Sequence, residues 1–225
     1  MEELVIRPIA RFRGDLREKF GAPRQAGLVE ALEGRVVFEE EYRREEAFRG
    51  LEGFSHIWLI WQFDRNARQD WSPTVRPPRL GGNARLGVFA TRSPFRPNAL
   101  GLSCVRLLGI ERDDALGPVL RVAGADLVDG TPIFDVKPYL PYADSRPEAA
   151  AGFAPDGGKL LRVQYAPGVE AQLPPEKLPA LTGLLARDPR PQYQEDPERV
   201  YGLRFAGRNL RFRVEGETLT VLAIE

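Results

Sequence analysis

Apolar, β-branched and aromatic residues in this chain come in short runs, and most of these have glycine, proline or aspartate near their ends, before they reach the length of a stable helix. Residues 5–12, 35–38, 54–63, 86–91, 102–110 and 119–122 are such runs. Short strands with few helices to cover them are expected to close a sheet on itself, so the pattern predicts a small antiparallel β-barrel at the N-terminal end. Between the runs, residues 27–32 read as a short helix and residues 39–48, rich in glutamate, as a helix or solvated turn. Residues 54–63 read as a buried strand. The Pro/Gly-rich segment 72–83 is too broken for any regular element.

Past residue 145 the composition shifts to proline, alanine and glycine, as in a linker. A strand over 160–165, a helix over 175–187 with proline in its first turn, and strands over 200–205, 209–214 and 218–224 follow. The expected organisation is a barrel domain at 1–145, a linker at 146–158 and a small α+β domain at 159–225. The fold class is thus mainly β with an α+β C-terminal part.

The 32 basic residues balance the 32 acidic ones, which excludes a protein that coats nucleic acid through uniform positive charge. Position tells more than the sum. Residues 71–110 hold Arg76, Arg79, Arg85, Arg92, Arg96 and Arg106 and no acid at all. Prolines, glycines and aromatic residues are interleaved with these arginines, a mixture that suits an anion or RNA surface better than a solvated helix. Cys104 is the only cysteine and His56 the only histidine, so internal disulfides, multi-thiolate zinc sites and triads or metal sites needing two imidazoles are excluded. His56 is expected to order or fill its strand, and Cys104 to be a small core residue. No basic n-region followed by an apolar h-region opens the chain, and its longest apolar stretch is too short to span a membrane, so a cytoplasmic protein is expected.

Walker A, Rossmann and nucleophile-elbow signatures are missing. What stands out is the run Arg92-Ser93-Pro94-Phe95-Arg96-Pro97-Asn98. Prolines fix its backbone, so it forms a rigid irregular loop that displays Arg92, Arg96 and Asn98. Arginine offers a planar fork to phosphate or carboxylate, and Phe95 offers a face to a base. The same arginines could instead pair with Asp126 or Asp129 and pin the loop. Further on, strand periodicity would line up Ile133, Asp135, Lys137 and Tyr139 on one face, with Phe134 and Val136 on the other. Such a row is either a reactive set or a cross-strand ion pair on a solvated sheet.

Four separated segments carry a family resemblance: Phe20-Gly21-Ala22-Pro23-Arg24-Gln25, Phe54-Ser55-His56-Ile57-Trp58-Leu59-Ile60-Trp61, Ala90-Thr91-Arg92-Ser93-Pro94-Phe95-Arg96-Pro97-Asn98, and the stretch from Asp126-Leu127-Val128-Asp129-Gly130-Thr131-Pro132 to Tyr139. In order and content they resemble the TrmO (TsaA-like, YaeB-like) family over residues 1 to about 145. The resemblance implies a small β-barrel, S-adenosyl-L-methionine as cofactor and a homodimer with the cofactor at or near the subunit interface. It also implies methyl transfer to N6 of threonylcarbamoyladenosine at tRNA position 37.

By the same resemblance Pro23, Arg24, Gln25, Asp64, Arg65, Arg92, Leu102, Asp129, Gly130, Thr131 and Pro132 would contact the cofactor. Asp64 would contribute turn geometry, since relatives often carry histidine there. Arg24 or Arg92 can take a carboxylate, Asp129 an ammonium or ribose, and Leu102 can pack on adenine. Gln25 and the backbone of Gly130 and Thr131 can bond its edge. Asp135 and Tyr139, beside Lys137, are candidates to accept or orient the N6 proton. Arg76, Arg79, Phe95, Arg96 and Asn98 are the expected tRNA contacts.

Overall fold

The computed structural model describes residues 4–65, 70–81, 84–190 and 196–225. Two compact units emerge. The first comprises the chain up to Arg13, Gly34–Ala123 and Gly130–Ser145; the second comprises Gly14–Glu33, Gly124–Asp129 and Arg146–Glu225.

The strands of the first unit are β1 (Ala10–Gly14), β2 (Glu33–Phe38), β3 (His56–Gln62), β4 (Thr74–Val75), β5 (Leu86–Gly87), β6 (Leu100–Asp113), β7 (Gly117–Ala123) and β8 (Pro132–Pro138), followed by one helical turn, α1 (Pro141–Asp144). Six of them close a barrel in the order β1-β2-β7-β6-β3-β8, and β1 returns antiparallel to β8. Strand alternation explains the closure. On β3, Ile57, Leu59 and Trp61 are buried while His56, Trp58, Ile60 and Gln62 face outward. The expected buried strand is therefore buried on one face only, as befits a barrel strand whose alternate residues point into the interior.

On β6 the buried residues are Gly101, Ser103, Val105 and Leu107. Cys104 falls on the outer face opposite Trp58, which corrects the expectation of a core residue. Inside the barrel the indole N–H of Trp61 donates to Ser103 Oγ at 2.9 Å. Position 101 must be glycine for this packing, since a Cβ there would meet the Trp61 ring at 2.3 Å.

Other expectations change in instructive ways. Residues 27–32 form turns rather than a helix. Gly27 sits at φ +79° and gives its N–H to the Gly124 carbonyl at 2.8 Å, so the backbone cannot start a helical ladder there. The glutamate-rich stretch splits into two 3-10 turns, Glu40–Tyr42 and Glu45–Phe48. In 86–91 only β5 is extended; the chain then tightens into a 3-10 turn at Val88–Ala90, which the Thr91 hydroxyl closes on the Val88 carbonyl at 2.9 Å. The 72–83 segment, expected to lack regular structure, contributes β4, which pairs with β5, and a 3-10 turn at Pro78–Leu80. Gly82 and Asn83 lie outside the described residues.

The second unit contains β9 (Arg162–Tyr165), α2 (Leu178–Ala186), β10 (Tyr201–Phe205), β11 (Arg208–Glu215) and β12 (Thr218–Ile224). Its four strands run in the order β10-β11-β12-β9, antiparallel except for the β12–β9 pair. Proline in the first turn suits α2, and its buried residues Ala180, Leu181, Leu184 and Leu185 join Leu203, Phe205, Leu210, Phe212, Val214 and Leu219 in one core. Leu16, Val29, Leu32 and Val128, from the earlier segments, complete it.

Candidate functional site

One end of the barrel gathers the loops of interest. The C-terminal end of β3, the N-terminal end of β6 and the N-terminal end of β8 lie side by side, because Trp61 pairs with both Gly101 and Ile133. Beyond β3 the chain turns: the Phe63 N–H reaches the Ala99 carbonyl at 2.9 Å and the Asp64 N–H the Gln62 carbonyl at 2.9 Å. This turn displays Asp64 and Arg65, which approach each other only to 4.0 Å.

Gly130, Thr131 and Pro132 lead into β8 beside it. Gly130 adopts φ +86°, a conformation that glycine takes without strain, and a Cβ there would sit 3.3 Å from Arg65 Nη2. Its N–H donates to the Phe12 carbonyl at 2.7 Å, and Thr131, which is buried, accepts the Phe12 N–H on its carbonyl at 2.9 Å. Arg11 Nη1 reaches the Gly130 carbonyl at 3.4 Å and Arg11 Nε the Glu39 carboxylate at 3.3 Å. Two arginines thus flank one glycine turn. Arg11 was not singled out from the sequence, where nothing separates it from other surface arginines.

The structure therefore brings Asp64, Arg65, Gly130, Thr131 and Pro132 together. Leu102 starts β6 beside them, pairs with Ile60 and is 56% exposed on the outer face. Arg92 is exposed on the loop that feeds β6. Of the remaining expected cofactor contacts, Pro23 is buried, Arg24 exposed and Gln25 half-buried within the second unit. There Asp129 Oδ1 accepts the Gly14 N–H at 3.3 Å.

The arginine-rich loop is self-supporting. Arg96 Nη1 donates to the Thr91 carbonyl at 2.7 Å and touches the Val88 and Ser93 carbonyls at 3.4 Å. Arg96 therefore pins its loop, as one sequence reading held, but through carbonyls rather than through Asp126 or Asp129. Phe95 is half-buried and its carbonyl accepts the Ser72 N–H at 3.1 Å, while Asn98 is exposed. Arg76 is exposed and Arg79 half-buried.

The large exposed aromatics of this region are instead Phe89, 75% exposed, and Trp71, 51% exposed. Their segments are joined by the Val88 N–H to the Pro73 carbonyl at 3.0 Å. From the sequence Phe89 read as part of a strand and Trp71 as the start of an irregular segment; the signal that could have found them is their place as aromatic residues in the acid-free block 71–110.

The expected row on β8 is broken. Between Ile60 and Trp61 the register with β8 shifts, so that Ile133 opposes Trp61 whereas Asp135 opposes Ile60. The bulge at Phe134 turns Ile133 into the barrel and leaves Asp135 and Lys137 outside, on the opposite face. Asp135 Oδ2 meets Lys137 Nζ at 2.9 Å and its Oδ1 accepts the Val136 N–H at 2.9 Å. The ion pair thus runs along one strand rather than across two. Tyr139 rests against Trp58 and His56 at ring-centroid distances of 5.8 and 6.2 Å. His56, exposed, bonds Ser55 Oγ through Nδ1 at 3.0 Å. Asp144 accepts the Trp58 indole N–H at 3.0 Å, and burial, followed by the nearby Asp144 charge, pushes the Cys104 thiol up from its ordinary value.

Among the described residues no cluster of three or more histidine, cysteine, aspartate or glutamate side chains could hold a metal ion, and no helix is long and apolar enough to cross a membrane.

Comparison with known proteins bears on both units. The family model for the tRNA-methyltransferase O N-terminal domain matches residues 11–145, and that for the TrmO C-terminal domain matches residues 159–225. The chain is 42% identical over 236 residues to the tRNA (adenine(37)-N6)-methyltransferase of Escherichia coli (strain K12), covering 100% of this chain and 99% of that protein. It is 41% identical over 209 residues to the putative S-adenosylmethionine-dependent methyltransferase RcsF of Pseudomonas aeruginosa, with 88% and 87% coverage. The crystal structure of TrmO from Pseudomonas aeruginosa superposes with a TM-score of 0.84 at 31% identity, covering 100% of this chain and 99% of that one.

Proposed function

The chain belongs to the tRNA-methyltransferase O family, and from that membership we propose how its residues divide the work of methylating N6 of adenosine 37 in tRNA. It is an S-adenosylmethionine-dependent tRNA methyltransferase; the observation that carries this is the end-to-end match in sequence and fold to enzymes of that activity. We take the substrate nucleoside to be threonylcarbamoyladenosine, in a cytoplasmic enzyme.

The barrel end fits the cofactor chemically. A glycine in a left-handed conformation, lacking the Cβ that would crowd Arg65, lets a ligand come close to a turn held in place by Phe12 and Arg11, and cations and an exposed leucine belong to the same barrel end. In this reading Arg65 and Arg92 hold the carboxylate, the adenine edge lies along the Gly130–Thr131 turn and Leu102 packs on its face. Bound there, S-adenosylmethionine supplies an electrophilic methyl on sulfur. For Pro23, Arg24, Gln25 and Asp129 as further contacts the support is the family resemblance.

Methyl transfer to N6 would form a carbon–nitrogen bond as the methyl carbon–sulfur bond of the cofactor breaks and S-adenosylhomocysteine leaves, with the nitrogen losing its proton. Holding the reacting atoms in line can supply about 7–11 kcal/mol, so positioning by the Gly130 turn and the RNA loop carries most of the burden. Asp135 lies about 10 Å along β8 from Pro132. With its oxygens engaged by Lys137 and the Val136 N–H, Asp135 is the member of the row nearest the turn and the candidate to accept or orient the proton, whereas Tyr139, at the far end of β8 beside His56, stands roughly 20 Å or more from Pro132 along the strand. Arg76 and Arg79 face the phosphates, Asn98 the sugar or base edge, and Phe89 and Trp71 stack on unpaired bases. Arg96 and Phe95 hold that surface in shape.

A homodimer is part of the proposal. Trp58, Ile60, Leu100 and Leu102 leave an apolar strip on the outer face of β3 and β6, the kind of surface a second copy covers. Sedimentation should give twice the chain mass, and Leu102→Glu should halve it; a monomeric wild type would remove the dimer from the account. For the activity, purified protein is mixed with labelled S-adenosylmethionine and tRNA from cells lacking the gene. Label in N6 of the position-37 nucleoside is expected, with none in tRNA lacking threonylcarbamoyl groups; label elsewhere, or none, would reject the assignment.

A further inference from the structure

The second unit presents one face of its sheet to its helix and core and the other outward. Every aromatic residue of its strands turns inward: Tyr201, Phe205 and Phe212 are buried, and Tyr165 bonds Thr182 of α2 at 2.8 Å. The outward positions are different in kind. Arg204 on β10, Arg211 and Arg213 on β11 and Arg162 on β9 are all exposed, with Asn209, Gln164 and Thr220 between them. Registry makes them one patch, since Arg204 pairs with Asn209, Arg213 with Thr220, and Thr220 with Gln164.

Glu215 is the acid on that face within β11. Glu18 and Glu225 reach Arg204 and Arg211 from the flanks at 3.8 and 3.5 Å, but these pairs are more than half exposed and so weak in solvent. An open cleft of about 370 Å³ at the edge of the patch adds Arg17 and Arg208.

We propose that this outer sheet face binds the phosphodiester backbone of tRNA. The proposal rests on the reading of the chain as a tRNA-modifying enzyme. Arg211 and Arg213, at alternate positions of β11, stand about 7 Å apart, Arg204 lies diagonally across from Arg211 at about 7–8 Å, and Arg162 stands beyond β12 on the same face, a spread of bidentate donors for a polyanion. Among the described residues the strands of this face turn no aromatic side chain outward for stacking on bases, so it grips the backbone without reading sequence. Weak exposed ion pairs exchange readily for phosphates, with release of the counterions that the RNA carries.

The test uses the full chain. Arg162→Gln, Arg211→Gln and Arg213→Gln are combined, and tRNA affinity is measured from 50 to 400 mM KCl, about the range over which phosphate contacts dominate salt dependence. S-adenosylmethionine affinity and thermal unfolding are followed in parallel. The plot of log affinity against log salt should become shallower by about 2, at about 0.7–0.9 per lost phosphate contact, with cofactor binding unchanged. Arg213→Gln alone should shift it by about 0.8, which keeps the proposal exposed should the triple variant unfold.

Unchanged slope and affinity in variants of a wild type that binds and methylates tRNA would overturn the proposal and leave the enzyme assignment standing. A wild type with no salt-dependent tRNA binding would overturn both.

Discussion

Both units are built from strands that bury alternate residues, yet their outward faces have opposite character. The barrel exterior over β3 and β6 shows Trp58, Ile60, Leu100 and Leu102, and its loops show Phe89 and Trp71. The second unit's exterior shows Arg162, Arg204, Arg211 and Arg213. The same alternation gives in one case a surface suited to a protein copy, a cofactor and unpaired bases, and in the other a surface suited only to charge. On the reading proposed above, chemistry and base recognition fall to the first unit and a further share of backbone affinity to the second.

Four substitutions can break or sharpen that division. The largest effect is expected at Gly130. Gly130→Val puts a branched side chain at φ +86° and against Arg65, so the turn must move, and methyl transfer should fall about a hundredfold, far more than strain of about 1–3 kcal/mol in folding stability accounts for in a chain that still unfolds cooperatively. Next comes Gly101→Ala, which forces a methyl into the Trp61 ring and should destabilise the barrel by about 1–3 kcal/mol. Hydrogen exchange should then speed up in β3 and β6 and not in β10–β12; equal acceleration in both would show that the two units unfold together.

Smaller still is Phe89→Ala. Loss of one stacked base costs about 1–3 kcal/mol, so tRNA affinity should drop about tenfold, with the salt slope unchanged. A changed slope would blur the distinction between base contact in the first unit and backbone contact in the second.

The smallest effect concerns pH. The Leu116 and Ala115 N–H groups, and then Arg35, hold the Asp113 carboxyl below its ordinary value. A carboxyl depressed in the folded state stabilises it above the unfolded value of about 3.9, and that contribution is lost as pH falls through the folded value. Asp113→Ala should therefore lower the unfolding temperature at neutral pH slightly and lessen its decline on acidification. An identical decline would remove Asp113 from the acid response.

The barrel was legible because period-two alternation and Gly/Pro punctuation are local signals, and the helix and strands beyond residue 160 were legible for the same reason. Less visible was anything set by partners distant in sequence. The bulge at Phe134, which separates Ile133 from Asp135, arises from the register with β3 and leaves no local trace. Cys104 looked like core because its neighbours are apolar, but on a one-layer barrel half of an apolar strand faces out. That Arg96 Nη1 also braces its own loop through carbonyls was not legible, since short-range arginine-to-carbonyl bonds depend on how the prolines fold the loop. Within the first unit the glycine turn at 130 emerged where the family segments put it, and Arg11 behind it did not.

The central claim is methyl transfer to N6 at position 37 through the Gly130 turn. Its most direct test is nucleoside mass spectrometry of tRNA from cells lacking the gene and supplied with either the wild type or Gly130→Val. The account predicts that N6-methylated threonylcarbamoyladenosine disappears without the gene, returns with the wild type and stays scarce with the variant. Unchanged levels in the cells lacking the gene would contradict it.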